Sequence, residues 1–184
     1  MALTYTPAID THFQCPDFNL LGVDGKKHNR AEFEGTSALL VMFICNHCPY
    51  VKAIEERLVQ LGEFMKSKNL QVVAICANDA ENYPEDSFEK MKEKAEQRKY
   101  PFPYLHDSTQ EIAKAFDAVC TPDFFLFDKN LKLAYRGRLD DSWKEADKVT
   151  QEELKTAVLA LIENKPNNPH QQPSMGCNIK WIKP

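Results

Sequence analysis

An unbroken apolar run, Ala38 to Ile44, leads directly into Cys45-Asn46-His47-Cys48-Pro49-Tyr50, and it constrains the fold more than any other stretch. The run does not alternate polar with apolar, so it reads as a strand buried on both faces. Behind the cysteines, apolar residues return at Val51, Ile54, Leu58, Leu61 and Met65. That spacing predicts an amphipathic helix over about 49–67. The cysteine pair therefore falls on a strand-to-helix turn, where unpaired N–H groups and the positive end of the helix dipole favour an anion. A thiolate is an anion, so a cysteine placed there is expected to have a lowered pKa and to be nucleophilic. Pro49 suits a first helical turn, where its missing N–H is not needed.

Around this unit the chain reads in order. Residues 1–16 form an irregular lead-in, 17–23 a strand closed by the Asp24-Gly25 turn, and 26–37 a surface loop. Leu70 to Ala77 is a second buried strand, completing a right-handed βαβ unit. Residues 84–99 predict a charged surface helix with a thin stripe of Phe88, Met91 and Ala95, and no function attaches to it. Tyr100 to Leu105 is extended and punctuated by prolines. Ser108 and Glu111 have the spacing of a capping box for a helix whose inner face is Ile112, Ala115 and Phe116. Segments 123–127 and 131–135 flank a three-residue turn as a hairpin. Thr150 and Glu153 predict a second capping box, for a last helix burying Leu154, Ala157, Val158, Leu161 and Ile162. The expected organisation is one domain over 1–163, N-terminal extension included, and a tail over 164–184. That tail is rich in Pro and Asn but ends in apolar residues with Trp181, so it is expected to dock on the body.

The net charge of -4 and the lack of a basic cluster argue against nucleic acid as a partner. Met1 to Leu20 holds no long apolar run, so it reads as neither a signal peptide nor a membrane span. The expectation is a cytoplasmic protein with no membrane partner. Six cysteines, Cys15, Cys45, Cys48, Cys76, Cys120 and Cys177, are then an unlikely disulfide framework. Redox catalysis, metal binding and plain burial are the uses left. Nothing in the sequence requires a bound cofactor.

The order βαβ, α, ββα, with Cys-x-x-Cys after the first strand of the βαβ unit, resembles the thioredoxin-fold superfamily. Three segments resemble its redoxin branch, which holds the alkyl hydroperoxide reductase and thiol-specific antioxidant (AhpC/TSA) proteins. They are Phe43-Ile44-Cys45-Asn46-His47-Cys48-Pro49, Cys120-Thr121-Pro122 with the Asp123 to Asp128 strand, and Pro16-Asp17-Phe18-x-Leu20. The resemblance spans roughly 14–163. It implies an α/β, thioredoxin-like fold: a central mixed β-sheet flanked by helices, with an N-terminal extension and a C-terminal tail. It also implies a cis Thr121–Pro122 bond beside the redox cysteines, with Thr121 offering its backbone to a docking thiol substrate.

Two family patterns overlap on the cysteine pair. In the thiol–disulfide oxidoreductase pattern, Cys45 is the exposed attacking thiolate and Cys48 resolves the mixed disulfide. His47 resembles the residue before the second cysteine of strongly oxidising members, and its imidazolium would stabilise the Cys45 thiolate. The chain lacks a Trp before Cys45 and a Pro between the cysteines, and strand 38–44 carries no acid where the family has a buried carboxylate. In the alternative, a thiol-dependent peroxidase, the pattern Pro-x-x-x-Thr-x-x-Cys makes Cys48 peroxidatic. Val41 and Cys45 then stand at its Pro and Thr positions. Arg136 or Arg138 would stabilise the thiolate, and Cys120 or Cys177 would resolve a sulfenate. A redox sensor or binding module without turnover is the third reading. The implied partners are protein or small-molecule disulfides or peroxides, and a reducing partner such as a thioredoxin or glutathione system. Cys45, His47, Cys48 and Cys177 can be drawn as a tetrahedral zinc set. Without a second Cys-x-x-Cys, no metal is expected. Cys15 and Cys76 are expected to be packing residues. Cys120 is divided between packing and an auxiliary redox role, and Cys177 between anchoring the tail and resolving.

Overall fold

A computed structural model describes residues 3–8, 10 and 12–183. The strands are β1 (Leu3–Tyr5), β2 (Asn19–Gly22), β3 (Lys27–Asn29), β4 (Ala38–Phe43), β5 (Gln71–Cys76), β6 (Tyr104–His106), β7 (Cys120–Thr121), β8 (Asp123–Asp128), β9 (Leu133–Tyr135) and β10 (Met175–Asn178). The helices are α1 (Pro49–Ser67), α2 (Phe88–Arg98), α3 (Glu111–Ala115) and α4 (Glu153–Ile162). Seven strands form a mixed sheet in the order β3-β2-β6-β5-β4-β8-β9, with β4, β5 and β6 parallel and β8 antiparallel to β4. A second sheet, β1-β10-β7, joins both ends of the chain to the segment before Pro122.

Strand β4 lacks alternation because it is covered on both faces. Ala38, Leu40 and Met42 pack with Val51, Ile54, Leu58, Leu61 and Met65 of α1 and with Leu154, Ala157 and Val158 of α4. Leu39, Val41 and Phe43 face Phe18, Phe33, Phe116, Phe125 and Phe127. Each large side chain so buried contributes roughly 1.5–3 kcal/mol of transfer free energy. The core therefore fixes the end of β4 and the start of α1, the two points between which the cysteines lie. Among the described residues no helix is long and apolar enough to cross a membrane.

Local expectations are corrected at four places. The stretch 26–37 is not all loop: β3 pairs with β2, and a 3-10 turn spans Arg30–Phe33 and buries Phe33. The charged helix begins only at Phe88, after a separate 3-10 turn, Pro84–Asp86, whose last residue is fully buried. Neither capping box forms. At α3 the Asp107 carboxylate accepts the Ala113 N–H (2.8 Å), and the residue preceding the helix is Gln110, in the left-handed region at φ 64°. At α4 Thr150 is bound to Asp141, and Glu153 is paired with Arg138 (2.7 Å). In both cases a carboxylate from outside the local four-residue unit wins the contact.

Candidate active site

Strand β4 delivers Ile44 and Cys45 to the turn, and Cys48 stands as the N-cap of α1 with Pro49 in the first helical position. The Val51 N–H, one of the orphan donors of the helix start, helps to lower the Cys48 thiol. Cys45 and Cys48 are close enough that each thiol shifts the titration of the other. The Thr121–Pro122 bond beside them is cis. Cys45 Sγ lies 3.3 Å from Thr121 Oγ1, and Cys48 Sγ lies 3.1 Å from the Thr121 carbonyl oxygen.

The expected exposure of Cys45 is overturned. It is 2% exposed and Cys48 is 0% exposed, because Thr121, the cis-proline loop and the tail close over the turn. Burial and neighbouring groups act on the two thiols in opposite senses. The Cys48 thiol is pulled well below its ordinary range, first by the neighbouring Cys45 and then, against burial, by Cys177 and the Val51 N–H. Burial, together with the neighbouring Cys48, drives the Cys45 thiol far up. In the structure the Cys48 thiol donates to the Thr121 carbonyl and lies against Cys177 Sγ. The two thiols are thus driven in opposite directions, Cys48 down and Cys45 up.

Asp86 was invisible to sequence reasoning, because it sat inside a stretch read as a solvated helix. Its carboxylate accepts the Asn46 N–H (2.8 Å) and the His47 N–H (3.2 Å) through Oδ1, and binds His47 Nδ1 (2.5 Å) and Asn78 Nδ2 (2.8 Å) through Oδ2. Burial pushes that carboxyl up, yet the bonds from His47, Asn78 and Asn46 win and hold it below the usual carboxylate range. The buried acid missing from β4 is thus present, supplied by another element. His47, held by Asp86 and stacked on Tyr83 (centroids 5.2 Å apart), brings Nδ1 to 3.9 Å from Cys45 Sγ. The sequence signal that could have found Asp86 is the Tyr83-Pro84-Glu85-Asp86-Ser87 punctuation, which breaks the helix pattern.

The other candidates divide. Arg136 and Arg138 do not stabilise the thiolate. Arg136 is bound to Asp123 (2.9 Å) and packs over Phe125, and Arg138 pairs with Glu153; a carboxylate takes each cation away from the sulfurs. Cys120 bonds the Pro122 carbonyl (3.4 Å) rather than a cysteine. Neighbouring strand residues point to opposite faces, so Thr121 facing Cys45 turns Cys120 away. Burial, chiefly, drives its thiol up. Cys15 and Cys76 are buried thiols pushed up to about 12 by burial. Cys177 does enter the site, with its sulfur 3.1 Å from Cys48 Sγ. The Thr121 backbone, expected to be open to a docking substrate, is taken by β10: Cys177 pairs with Thr121 and Asn178 with Cys120.

Ligand atoms of Cys45, His47 and Asp86 lie within 4.8 Å of one another. A tetrahedral ion with bonds of about 2.1 Å holds its ligands about 3.4 Å apart. The 2.5 Å between His47 Nδ1 and Asp86 Oδ2 is a hydrogen-bond distance, so the set fits a hydrogen-bonded chain better than a metal centre.

The profile of the AhpC/TSA family matches residues 12–136. An uncharacterised conserved protein from Geobacillus kaustophilus is 47% identical, with 99% of this chain and 97% of that one covered and a TM-score of 0.94. A hypothetical protein from Sinorhizobium meliloti 1021 is 40% identical, with 97% and 98% covered and a TM-score of 0.93. A secreted disulfide oxidoreductase of Mycobacterium tuberculosis is 17% identical over 78% of this chain and 95% of its own, at a TM-score of 0.60, a likeness of fold. No curated protein matches the chain.

Proposed function

The chain belongs to the AhpC/TSA family, and on that premise we propose that it is a thiol–disulfide oxidoreductase in which Cys48 is the reacting thiolate and Cys45 its partner thiol. The observation that carries this reading is the Cys45–Cys48 pair at the start of α1, with Cys48 as N-cap and both sulfurs against Thr121 of the cis Thr121–Pro122 bond. The Cys48 thiolate attacks one sulfur of a substrate disulfide, the substrate S–S bond breaks, and the departing thiolate takes up a proton. A second thiol of the site then attacks Cys48, releasing the other half of the substrate as a thiol and leaving an intramolecular disulfide. A dithiol reductant restores the start; run backwards, the same steps oxidise a dithiol.

The peroxidase reading uses the same thiolate but needs a cation beside it and a hydroxyl at position 45. Arg136 and Arg138 are committed to Asp123 and Glu153, and position 45 is a thiol, a weak donor. Rapid mixing of the reduced protein with a small disulfide, and separately with hydrogen peroxide, tests the choice. Faster oxidation by the disulfide, lost in Cys48→Ser, supports the oxidoreductase. Faster oxidation of Cys48 by peroxide moves the assignment to a peroxidase, and exchange that survives in Cys48→Ser overturns both.

A further inference from the structure

The tail brings a third sulfur to the redox pair, and it does so on a strand. Antiparallel pairing of β10 with β7 puts Cys177 opposite Thr121, the residue whose carbonyl and hydroxyl touch Cys48 and Cys45. On its other edge β10 pairs with β1 through Leu3–Cys177, Thr4–Gly176 and Tyr5–Met175. Beyond the strand, Lys180 is clamped: its N–H reaches Asn78 Oδ1 (2.8 Å), its carbonyl accepts from the Asp79 N–H (2.9 Å) and from Gln110 Nε2 (2.8 Å). Asn78 is also the residue that binds Asp86, so one side chain ties the tail to the carboxylate that holds His47.

We infer that β10 is a built-in substrate strand and that Cys177 is a third redox-active thiol, which exchanges with the Cys45–Cys48 disulfide to give a Cys48–Cys177 disulfide. This rests on the proposed thiol–disulfide chemistry of Cys48 and adds to it the identity of the thiol that follows. In the exchange the Cys177 sulfur attacks Cys48 and the Cys48–Cys177 bond forms. The Cys45–Cys48 bond breaks, its electron pair leaves on Cys45, and the proton lost by Cys177 ends there. No net oxidation occurs; the two oxidising equivalents came from the external disulfide. Strand pairing holds the two backbones side by side, and the sulfurs already stand 3.1 Å apart, so little beyond side-chain rotation separates contact from bond.

Gly176 makes the arrangement testable. A Cβ there would lie 2.0 Å from the Thr121 carbonyl oxygen and 2.6 Å from its carbon, both backbone atoms. Any side chain at 176 must therefore push β10 off Thr121, leaving Cys45 and Cys48 in place.

The experiment treats the reduced full-length protein with one equivalent of a small disulfide, quenches with acid, blocks thiols and maps disulfides by peptide mass spectrometry over time. The wild type is expected to show Cys45–Cys48 and Cys48–Cys177 together, in a ratio that settles to a constant value. Cys45→Ser is expected to close Cys48–Cys177 as its intramolecular disulfide, whereas Gly176→Ala retains Cys45–Cys48 and loses the Cys177 bridge. If Cys45→Ser instead accumulates an open mixed disulfide on Cys48, and the wild type shows Cys45–Cys48 alone, the inference is overturned and the function stands. If Cys48 is not modified in any of the proteins, both fall. Cys177→Ser, which keeps the strand, separates loss of the sulfur from loss of docking.

Discussion

Oxidising Cys45→Ser closes the bond between residues 48 and 177, a sequence separation of 129. Chain-entropy bookkeeping gives a loop of that length about 5 kcal/mol of stabilisation, by restricting the unfolded chain. Oxidising Cys177→Ser closes only the three-residue separation between Cys45 and Cys48, and the same relation gives about 2 kcal/mol. The difference, about 3 kcal/mol, corresponds to roughly 6–12 °C in Tm for a domain of this size. Each variant is scanned by calorimetry reduced and oxidised, so the substitution itself cancels. The oxidised-minus-reduced shift should be larger for Cys45→Ser by that margin. Equal shifts, or a smaller one for Cys45→Ser, would refute the claim that β10 presents Cys177 to Cys48 in the folded protein.

Ultraviolet thiolate absorbance at neutral pH should be present in the reduced wild type and in Cys177→Ser, and absent in Cys48→Ser; a signal that persists without Cys48 would place the charge elsewhere. Asp86 has a depressed folded pKa, so its contribution is complete above the unfolded value of about 3.9 and disappears as pH falls through the folded one. Urea midpoints against pH should therefore show an acid-side decline that is smaller in Asp86→Asn. That variant should also lose about 2–4 kcal/mol at neutral pH, because two backbone N–H groups and His47 lose a charged acceptor; an unchanged midpoint would remove Asp86 from the site. Arg136→Met leaves Asp123 buried and unpaired and should cost about 3–5 kcal/mol in denaturant unfolding. The thiolate absorbance should not change, and its loss would return Arg136 to the role the peroxidase pattern gave it.

What the sequence made legible follows from how local each signal was. β4 and α1 were readable because burial on both faces leaves a strand without alternation, and burial on one face leaves a helix with a stripe. Thr121 and Pro122 were placed at the site by the resemblance of Cys120-Thr121-Pro122, with the strand that follows, to the redoxin branch. The capping boxes failed because Asp107, Asp141 and Arg138 compete from outside the four-residue unit that defines the motif. Asp86 and β10 lay beyond reach for the same kind of reason. Asp86 bonds residues 39 and 40 positions away, and Cys177 meets a sulfur 129 positions away. No periodicity records either distance.

The pairing of β10 with Thr121 also sets a competition. A strand joined to the body by residues 163–174 is present at its own docking edge at an effective concentration on the order of millimolar. An outside peptide at micromolar concentration must bind that edge about 10³-fold better than the tether to hold it half the time. A molecule that needs the backbone of Thr121, or a path to the fully buried Cys48 sulfur, must therefore compete with the tail for it. The strength of that competition is set in part by the length of residues 163–174, far from the cysteines in sequence.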